Sequence, residues 1–283
     1  MTGAMAETNW RSGGQWTRLS DGLTFWRREG SADGIPLVLV HGATVPSWEF
    51  DFLVPPLLAA GFQTLRFDLL GHGASDRPRG NYDFERFTRQ THEILEATGF
   101  PTPAVLLGHS FGAAVVAAVT AAHPDRASRL DLVAPMLDFS STSAWSKLFR
   151  VRGLGELAMD LFGTPALVRR RRRRYAAIGK DHLTPRFIEQ VADGQFGRGL
   201  VSMFRHGALG DKSAQYTALG GFGKPLMVVT GTRDNIIPPD HIARVRALLP
   251  THSHCPIDAE HNLLLTHPDV VVEAVLGWIR QPR

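Results

Sequence analysis

One serine lies in a tight turn between an apolar strand and a helix of small residues. The motif Gly-His-Ser-Phe-Gly at 108–112 follows a predicted strand over 104–107 and opens a predicted helix over 111–122. Such a turn needs glycines, because strand and helix approach closely only where side chains are absent. The pattern therefore predicts a strand–turn–helix unit that presents the hydroxyl of Ser110 at the end of the strand.

Strands and helices alternate along most of the chain. A hairpin is predicted at 16–27, and further strands at 35–40, 63–67, 104–107, 130–133, 225–230 and near Ser253. Helices are predicted at 48–60, 83–98, 111–122, 240–249 and 268–280. Alternation of this kind requires crossover connections, so it predicts an α/β fold with a mostly parallel central sheet flanked by helices.

Residues 139–221 break this alternation, because their apolar spacing is helical throughout. An unstructured loop of that length is improbable within a compact domain. We therefore predict a helical lid (cap) domain over 139–221, inserted after the sixth strand. It divides the core into a first part, 15–138, and a second part, 222–283.

Length and composition exclude several classes of protein. The chain has 283 residues, of which 43% are hydrophobic and 20% charged, and this argues against disorder. No stretch approaches the roughly 20 uncharged apolar residues of a membrane helix, and the first residues do not resemble a signal peptide. A single cysteine, Cys255, cannot close an internal disulfide. We expect a soluble, cytoplasmic protein that does not span a membrane.

The positive charge is concentrated in one segment. The chain has 31 Lys and Arg against 27 Asp and Glu, and six of these cations are consecutive arginines, Arg169 to Arg174. Because positive and negative residues are nearly equal in number outside this run, we expect no nucleic-acid-binding surface. The run has two interpretations. It is either a solvated or ion-paired helix surface, or a docking patch for an acidic partner such as an acyl carrier protein or an anionic membrane surface.

Two further polar residues follow later strands. Asp234 lies on a turn after the strand at 225–230, and His261 lies just before the final helix. A serine hydroxyl is a weak nucleophile that needs an adjacent base, itself oriented by a carboxylate. The chain order Ser110, Asp234, His261, each at a strand end, predicts such a triad. The alternatives are a turn-forming role for Asp234 and a core or helix-start role for His261.

A His-Gly pair at 41–42 ends another central strand. Attack of a hydroxyl on an acyl group creates an oxyanion, which two backbone N–H groups can stabilise. We predict these donors to be the N–H groups of Ala43, directly after the pair, and Phe111, directly after Ser110. The alternative interpretation of the pair is a simple strand terminus.

Together these motifs resemble the α/β-hydrolase superfamily, in particular its lidded, serine esterase-like branch. Residues 68–76, Asp-Leu-Leu-Gly-His-Gly-Ala-Ser-Asp, are similar to a glycine-containing turn of that superfamily, and we interpret them as structural. The resemblance implies that Ser110 is the nucleophile, His261 the base and Asp234 the orienting acid. The chemistry that it implies needs no metal, nucleotide or redox cofactor.

Departures from particular branches narrow the expected reaction. Haloalkane dehalogenases and epoxide hydrolases resemble this scaffold but carry Asp where this chain has Ser110. Carbon–carbon bond hydrolases usually have a glycine-rich run after His-Gly and a Trp after the catalytic His, whereas this chain has Ala-Thr-Val at 43–45 and Asn262. Some relatives place the acid after the preceding strand, which would nominate Asp138, but Asp234 lies in the commoner setting.

We therefore expect a carboxylesterase or lactonase that acts on a small, largely apolar molecule through an acyl-enzyme on Ser110. Carbon–carbon hydrolysis, amide cleavage and acyl transfer on the same triad remain alternatives, as does a hydrolase-like ligand receptor with little turnover. Candidate substrate-binding residues are the apolar side chains of Trp48, Met136, Phe139 and Trp145. The sequence leaves the oligomeric state open.

Overall fold

A twisted eight-stranded sheet forms the centre of the computed structural model, which describes residues 10–141 and 146–279. The strands are β1 (Gln15–Leu19), β2 (Gly22–Glu29), β3 (Ile35–Val40), β4 (Phe62–Phe67), β5 (Ala104–His109), β6 (Ala127–Val133), β7 (Leu226–Gly231) and β8 (Ser253–Ile257). Their order in the sheet is β1-β2-β4-β3-β5-β6-β7-β8. β2 pairs antiparallel with β1 and β4, and the other described pairings are parallel. The predicted mostly parallel sheet is confirmed.

Helices cover both faces of this sheet. They are α1 (Val54–Ala59), α2 (Phe84–Ala97), α3 (Phe111–Ala122), α10 (Pro239–Leu248), α11 (Leu263–Thr266) and α12 (Pro268–Ile279). Along β3, Val38 and Val40 pack into one apolar cluster, and Leu37 and Leu39 pack into another on the opposite face. The continuous apolar runs of the central strands follow from this burial on two sides.

A helical insertion connects β6 to β7. It contains α4 (Ser146–Phe149), α5 (Leu154–Ala158), a π-helical turn (Met159–Gly163), α6 (Thr164–Ala177), α7 (Thr184–Val191), α8 (Gln195–Arg205) and α9 (Ser213–Thr217). The side chain of Gln190 bonds to two loops at the carboxyl edge of the sheet, donating to Thr44 O (3.1 Å) and accepting from Gly73 N (3.1 Å). The insertion therefore lies over the ends of the parallel strands.

Several predicted boundaries need correction. Instead of one helix over 48–60, the chain forms a 3-10 turn (Ser47–Phe50) and then the short helix α1. Pro55 and Pro56 explain the break, because proline lacks the N–H that a helix interior requires but suits a first turn. β6 begins three residues earlier than predicted. The buried part of the strand includes Arg129, whose charge is balanced there by an ion pair with Asp131 at 2.7 Å.

No helix in the described part of the chain is long and apolar enough to cross a membrane.

Close backbone approach around β5 explains the two glycines of the pentapeptide. A Cβ on Gly108 would lie 2.3 Å from Gly112 O, and a Cβ on Gly112 would lie 2.1 Å from Val40 O. Contacts this short are not tolerated, so even a methyl group at either position would push α3 away from β3 and β5. The glycines thus set the distance between the helix and the sheet.

We expect Gly112→Ala to lower the free energy of unfolding by about 3 kcal/mol, because the added methyl group overpacks a backbone contact. Gly277→Ala is the matched control, since a Cβ there meets no heavy atom within 4 Å. Urea denaturation of both variants measures the difference. Equal stability of the two variants would contradict the account.

Candidate active site

The serine of the pentapeptide adopts a strained backbone conformation. Ser110, between β5 and α3, has φ of 53° and ψ of −111°, a region that residues with a side chain rarely occupy. Two hydrogen bonds, one to the last residue of β6 and one from the segment after it, hold it there: Ser110 N–H donates to Val133 O (2.8 Å), and Met136 N–H donates to Ser110 O (3.1 Å). The hydroxyl is thereby fixed at the carboxyl end of β5.

The structure brings Ser110, His261 and Asp234 into one hydrogen-bonded chain. The Ser110 hydroxyl donates to His261 Nε2 (3.1 Å), and His261 Nδ1–H donates to Asp234 Oδ2 (2.7 Å). The other carboxylate oxygen of Asp234 accepts the N–H groups of Ile236 (2.8 Å) and Ile237 (2.9 Å). The backbone of the loop holds the Asp234 carboxylate in place, and the carboxylate in turn orients the His261 imidazole.

Burial and hydrogen bonding set the charges of His261 and Asp234. Burial lowers the pKa of His261 below its ordinary 6.5 and outweighs the opposing effect of Asp234. Burial alone would raise the pKa of Asp234, but the hydrogen bond and charge of His261 and the two loop N–H groups lower it. At neutral pH the imidazole is therefore uncharged beside an ionised carboxylate, which is the state required of a general base.

Asp138, the alternative acid, makes local contacts instead. Its Oδ1 accepts from the Ser140 hydroxyl (2.8 Å) and from Ser141 N–H (3.1 Å). These bonds shape the loop after β6 and do not involve His261. Of the two carboxylates considered from the sequence, the one that contacts the imidazole is Asp234.

The backbone of both predicted oxyanion donors lies beside Ser110. Phe111 is the first residue of α3, so its N–H has no acceptor within the helix. The loop after β3 that carries Ala43 (the oxyanion loop) packs on the turn that carries Ser110 (the elbow), since a Cβ on Gly42 would lie 3.5 Å from Ser110 Cβ. The hydrogen bond from His72 Nε2 to Ala43 O (2.9 Å) helps to hold that loop.

His41 shapes this loop as a neutral imidazole. Its Nδ1–H donates to Gly42 O (2.7 Å), and its Nε2 accepts Leu69 N–H (2.8 Å). Burial lowers its pKa well below 6.5. The histidine of the His-Gly pair therefore orders the loop backbone through two hydrogen bonds.

A buried ion pair that sequence analysis missed connects three loops behind the serine. Glu49 Oε1 accepts Gly42 N–H (2.9 Å) and lies 3.1 Å from His109 Nδ1, while His109 Nε2–H donates to His261 O (3.2 Å). Both side chains are only 5% exposed. Burial opposes the charged form of His109, but Glu49 outweighs it and raises the pKa. The only sequence clue is one carboxylate between the apolar residues Trp48 and Phe50.

A cavity of about 410 Å³ opens in front of Ser110. Its walls are mostly apolar and come from the sheet edge and the insertion: Ala43, Val45, Met136, Phe139, Phe149, Met159, Phe162, Ala166, Leu167, Leu200, Phe204, Leu209 and Ile236. The predicted residues Met136 and Phe139 are among them. The predicted residue Trp48 does not line this cavity; its buried ring packs on Tyr175. Trp145 lies outside the described residues.

Comparison with known proteins identifies the family. Residues 37–274 match the profile of the alpha/beta hydrolase family. The chain belongs to this family. The expected superfamily and fold are thereby confirmed.

Relatives of this α/β-hydrolase have diverse activities. A non-heme chloroperoxidase from Streptomyces lividans is 26% identical over 92% of this chain and 98% of its own length. A haloalkane dehalogenase from Mycobacterium marinum is 26% identical over 88% of this chain and 86% of its own. The enol-lactonase structure from Burkholderia xenovorans covers 94% of this chain and 100% of its own, with a TM-score of 0.77 and 18% identity. The comparisons therefore support a hydrolase and leave its bond type open.

We expect kcat/KM of this α/β-hydrolase for an aryl ester to be constant above neutral pH and to fall on acidification. The imidazole of His261 must be uncharged to accept a proton, and burial lowers its pKa below 6.5. A pH–rate profile measures this pKa. A profile that rises on acidification would contradict the assignment of His261 as the base.

We expect Asp234→Asn to lower kcat by about 10⁴-fold, because the imidazole loses its orienting partner. Steady-state kinetics of the variant and the parent protein measure the difference, and an unchanged kcat would contradict the role of Asp234.

We expect Glu49→Gln to lower the free energy of unfolding by about 3 kcal/mol, because it leaves the buried His109 without its counter-charge. The amide oxygen can still accept from Gly42, so the loss reports on charge. Glu273→Gln, an exposed change on α12, should stay within about 0.5 kcal/mol of the parent protein. Chemical denaturation measures both, and an unchanged stability for Glu49→Gln would refute the ion pair.

Proposed function

We propose that this chain is a serine hydrolase that cleaves a carboxylic ester or lactone of a small, largely apolar molecule. The observation that carries the proposal is the hydrogen-bonded chain from Ser110 through His261 to Asp234 at the mouth of an apolar cavity. No residue of the chain needs to move for the proton to pass from hydroxyl to imidazole. The base, its orienting acid and the nucleophile are in hydrogen-bond contact.

In the proposed mechanism, Ser110 Oγ attacks the acyl carbon while His261 Nε2 takes its proton. Asp234 stabilises the imidazolium that forms, and the N–H groups of Ala43 and Phe111 bind the oxyanion. Collapse of the tetrahedral intermediate expels the alcohol, which receives the proton from His261. Water, deprotonated by the same imidazole, then attacks the acyl-enzyme and releases the acid.

The cavity supports a compact apolar substrate. Met136 and Phe139 line it from the segment after β6, and the described helices of the insertion supply much of the remaining wall. We propose that residues 139–221 act as a lid over the site, because removal of water strengthens the electrostatic interactions that stabilise an oxyanion. Pocket shape and substrate choice then depend mainly on the insertion.

The nature of the nucleophile favours acyl chemistry over the halide displacement named for the haloalkane dehalogenase relatives. A carboxylate can displace a halide from carbon and leave an ester that water can open, whereas a serine hydroxyl would leave an ether. An ether does not hydrolyse under these conditions, so turnover requires attack on an acyl group. Ser110 therefore supports ester or lactone cleavage. Carbon–carbon hydrolysis, amide cleavage and acyl transfer share these first steps and stand as alternatives.

Labelling with a fluorophosphonate tests the proposal. We expect a covalent adduct on the intact protein, detected as a mass increase, and no adduct on Ser110→Ala. The labelled protein should lose turnover of aryl esters and lactones in parallel. An activated serine without ester or lactone turnover, in a panel that includes amides and vinylogous diketones, would favour an alternative reaction. Absence of any adduct would favour a ligand receptor.

A further inference from the structure

One face of α6 turns three arginines of the basic run toward the catalytic cavity. Arg170, Arg171 and Arg174 line it together with Leu167 and Ala166, which are spaced along the helix at three- and four-residue intervals. Arg171 and Arg174 are partly buried, whereas Arg170 lines the cavity but is exposed. Arg169, Arg172 and Arg173 are exposed and do not line the cavity. The helix therefore divides the run, which sequence analysis treated as one unit, between the cavity and the outer surface. Docking of an acidic partner at Arg169 to Arg174 stays a prediction.

The guanidinium of Arg171 is partly buried at the oxyanion loop. Its Nη2 donates to Thr44 Oγ1 (2.5 Å), one residue after Ala43, and its guanidinium carbon lies 5.7 Å from the ring centroid of Phe187. Both partners are uncharged. Among residues 10–141 and 146–279, no carboxylate forms an ion pair with Arg171 or with Arg170.

The carboxylates near the cavity are already bonded to other groups. Glu260 pairs with Arg174, Glu49 with His109, and Asp234 with His261. The negative charge of Glu49 acts on Arg171 and opposes the lowering of its pKa by burial. The carboxylate oxygens of Glu49, however, bond to His109 and to the oxyanion loop. Glu260 lies near enough to Arg170 for its charge to oppose the lowering of that guanidinium's pKa by burial, but its ion pair is with Arg174. Within the described residues, Arg170 and Arg171 thus line the cavity without forming an ion pair.

From this arrangement we infer that the substrate carries a carboxylate, which Arg170 and Arg171 bind while the apolar body fills the cavity. The inference rests on the proposed hydrolysis at Ser110 and adds its substrate class. A partly buried guanidinium gains strongly from a carboxylate, because its planar fork donates two parallel charge-assisted hydrogen bonds. The apolar walls exclude a highly polar body and favour a hydrocarbon chain or ring. The substrate class is therefore an apolar ester or lactone with a free acid group.

Binding to the inactive variant Ser110→Ala tests the inference without dependence on turnover. The probes are monomethyl esters of straight-chain dicarboxylic acids with about six to ten carbons. Each is paired with a neutral compound in which a primary amide replaces the free acid. We expect calorimetry to show at least tenfold tighter binding of the acid than of the amide for the best chain length. High salt should reduce this ratio.

Charge-matched variants in the same background identify the arginines responsible. Arg171→Gln and Arg170→Gln should each reduce the acid-to-amide ratio, by about tenfold for Arg171. Arg171→Lys should restore part of it, since the charge remains but the fork is lost. Arg172→Gln removes the same charge from the exposed side of α6 and should keep the ratio. Thr44→Val, which removes the hydroxyl partner of Arg171, should also keep it.

Three outcomes would overturn the inference. One is equal binding of acid and amide by the Ser110→Ala protein. Another is an equal loss for both ligands in Arg171→Gln, because this result would mean that Arg171 only holds the Thr44 loop. The third is an equal effect of Arg172→Gln and Arg171→Gln on the ratio, which would mean general attraction by the basic helix. Selective binding of the acid without esterase turnover would support the inference and contradict the proposed function.

Discussion

The close contact of β3, β5 and α3 is the constraint on which the site depends. Two glycines allow backbone atoms of the three elements to approach to distances that exclude any side chain. The chain can turn from β5 into α3 only by placing Ser110 in a strained conformation. The strain is tolerated because hydrogen bonds from the end of β6 and the packed core hold the turn from both sides.

A second level of order comes from buried polar groups around that turn. Glu49 and His109 connect the oxyanion loop, the elbow and the backbone of the base, so the three loops are not free to move independently. Buried charges are costly, and this pair lies where the three segments proposed to be catalytic meet. The neutral His41 performs a similar task with backbone partners alone. Relative positions within the site are thus set by residues that do not touch the reacting atoms.

The insertion sets the chemical character of the cavity. The sheet edge supplies the groups proposed to act on an acyl bond, while α6 and its neighbours supply apolar walls and the guanidinium groups of Arg170 and Arg171. The Arg171 guanidinium lies close to the loop that carries Ala43. An acid group bound there would be held near the reacting carbonyl, which couples substrate recognition to the orientation of the bond to be broken.

Motifs located at the ends of strands could be found from the sequence. A parallel sheet brings the carboxyl ends of its strands to one edge, so residues that follow different strands come close together. The α/β architecture, the elbow at Ser110 and the positions of Asp234 and His261 follow from that rule and from local spacing. Trp48 does not line the cavity, because adjacency to a motif does not fix the direction of a side chain. Glu49 contacts His109 at a separation of 60 residues along the chain, and His109 contacts the His261 carbonyl at a separation of 152. Arg171 contacts Thr44 at a separation of 127 residues. Local pattern carries no information on such contacts, so only the packed tertiary structure decided them.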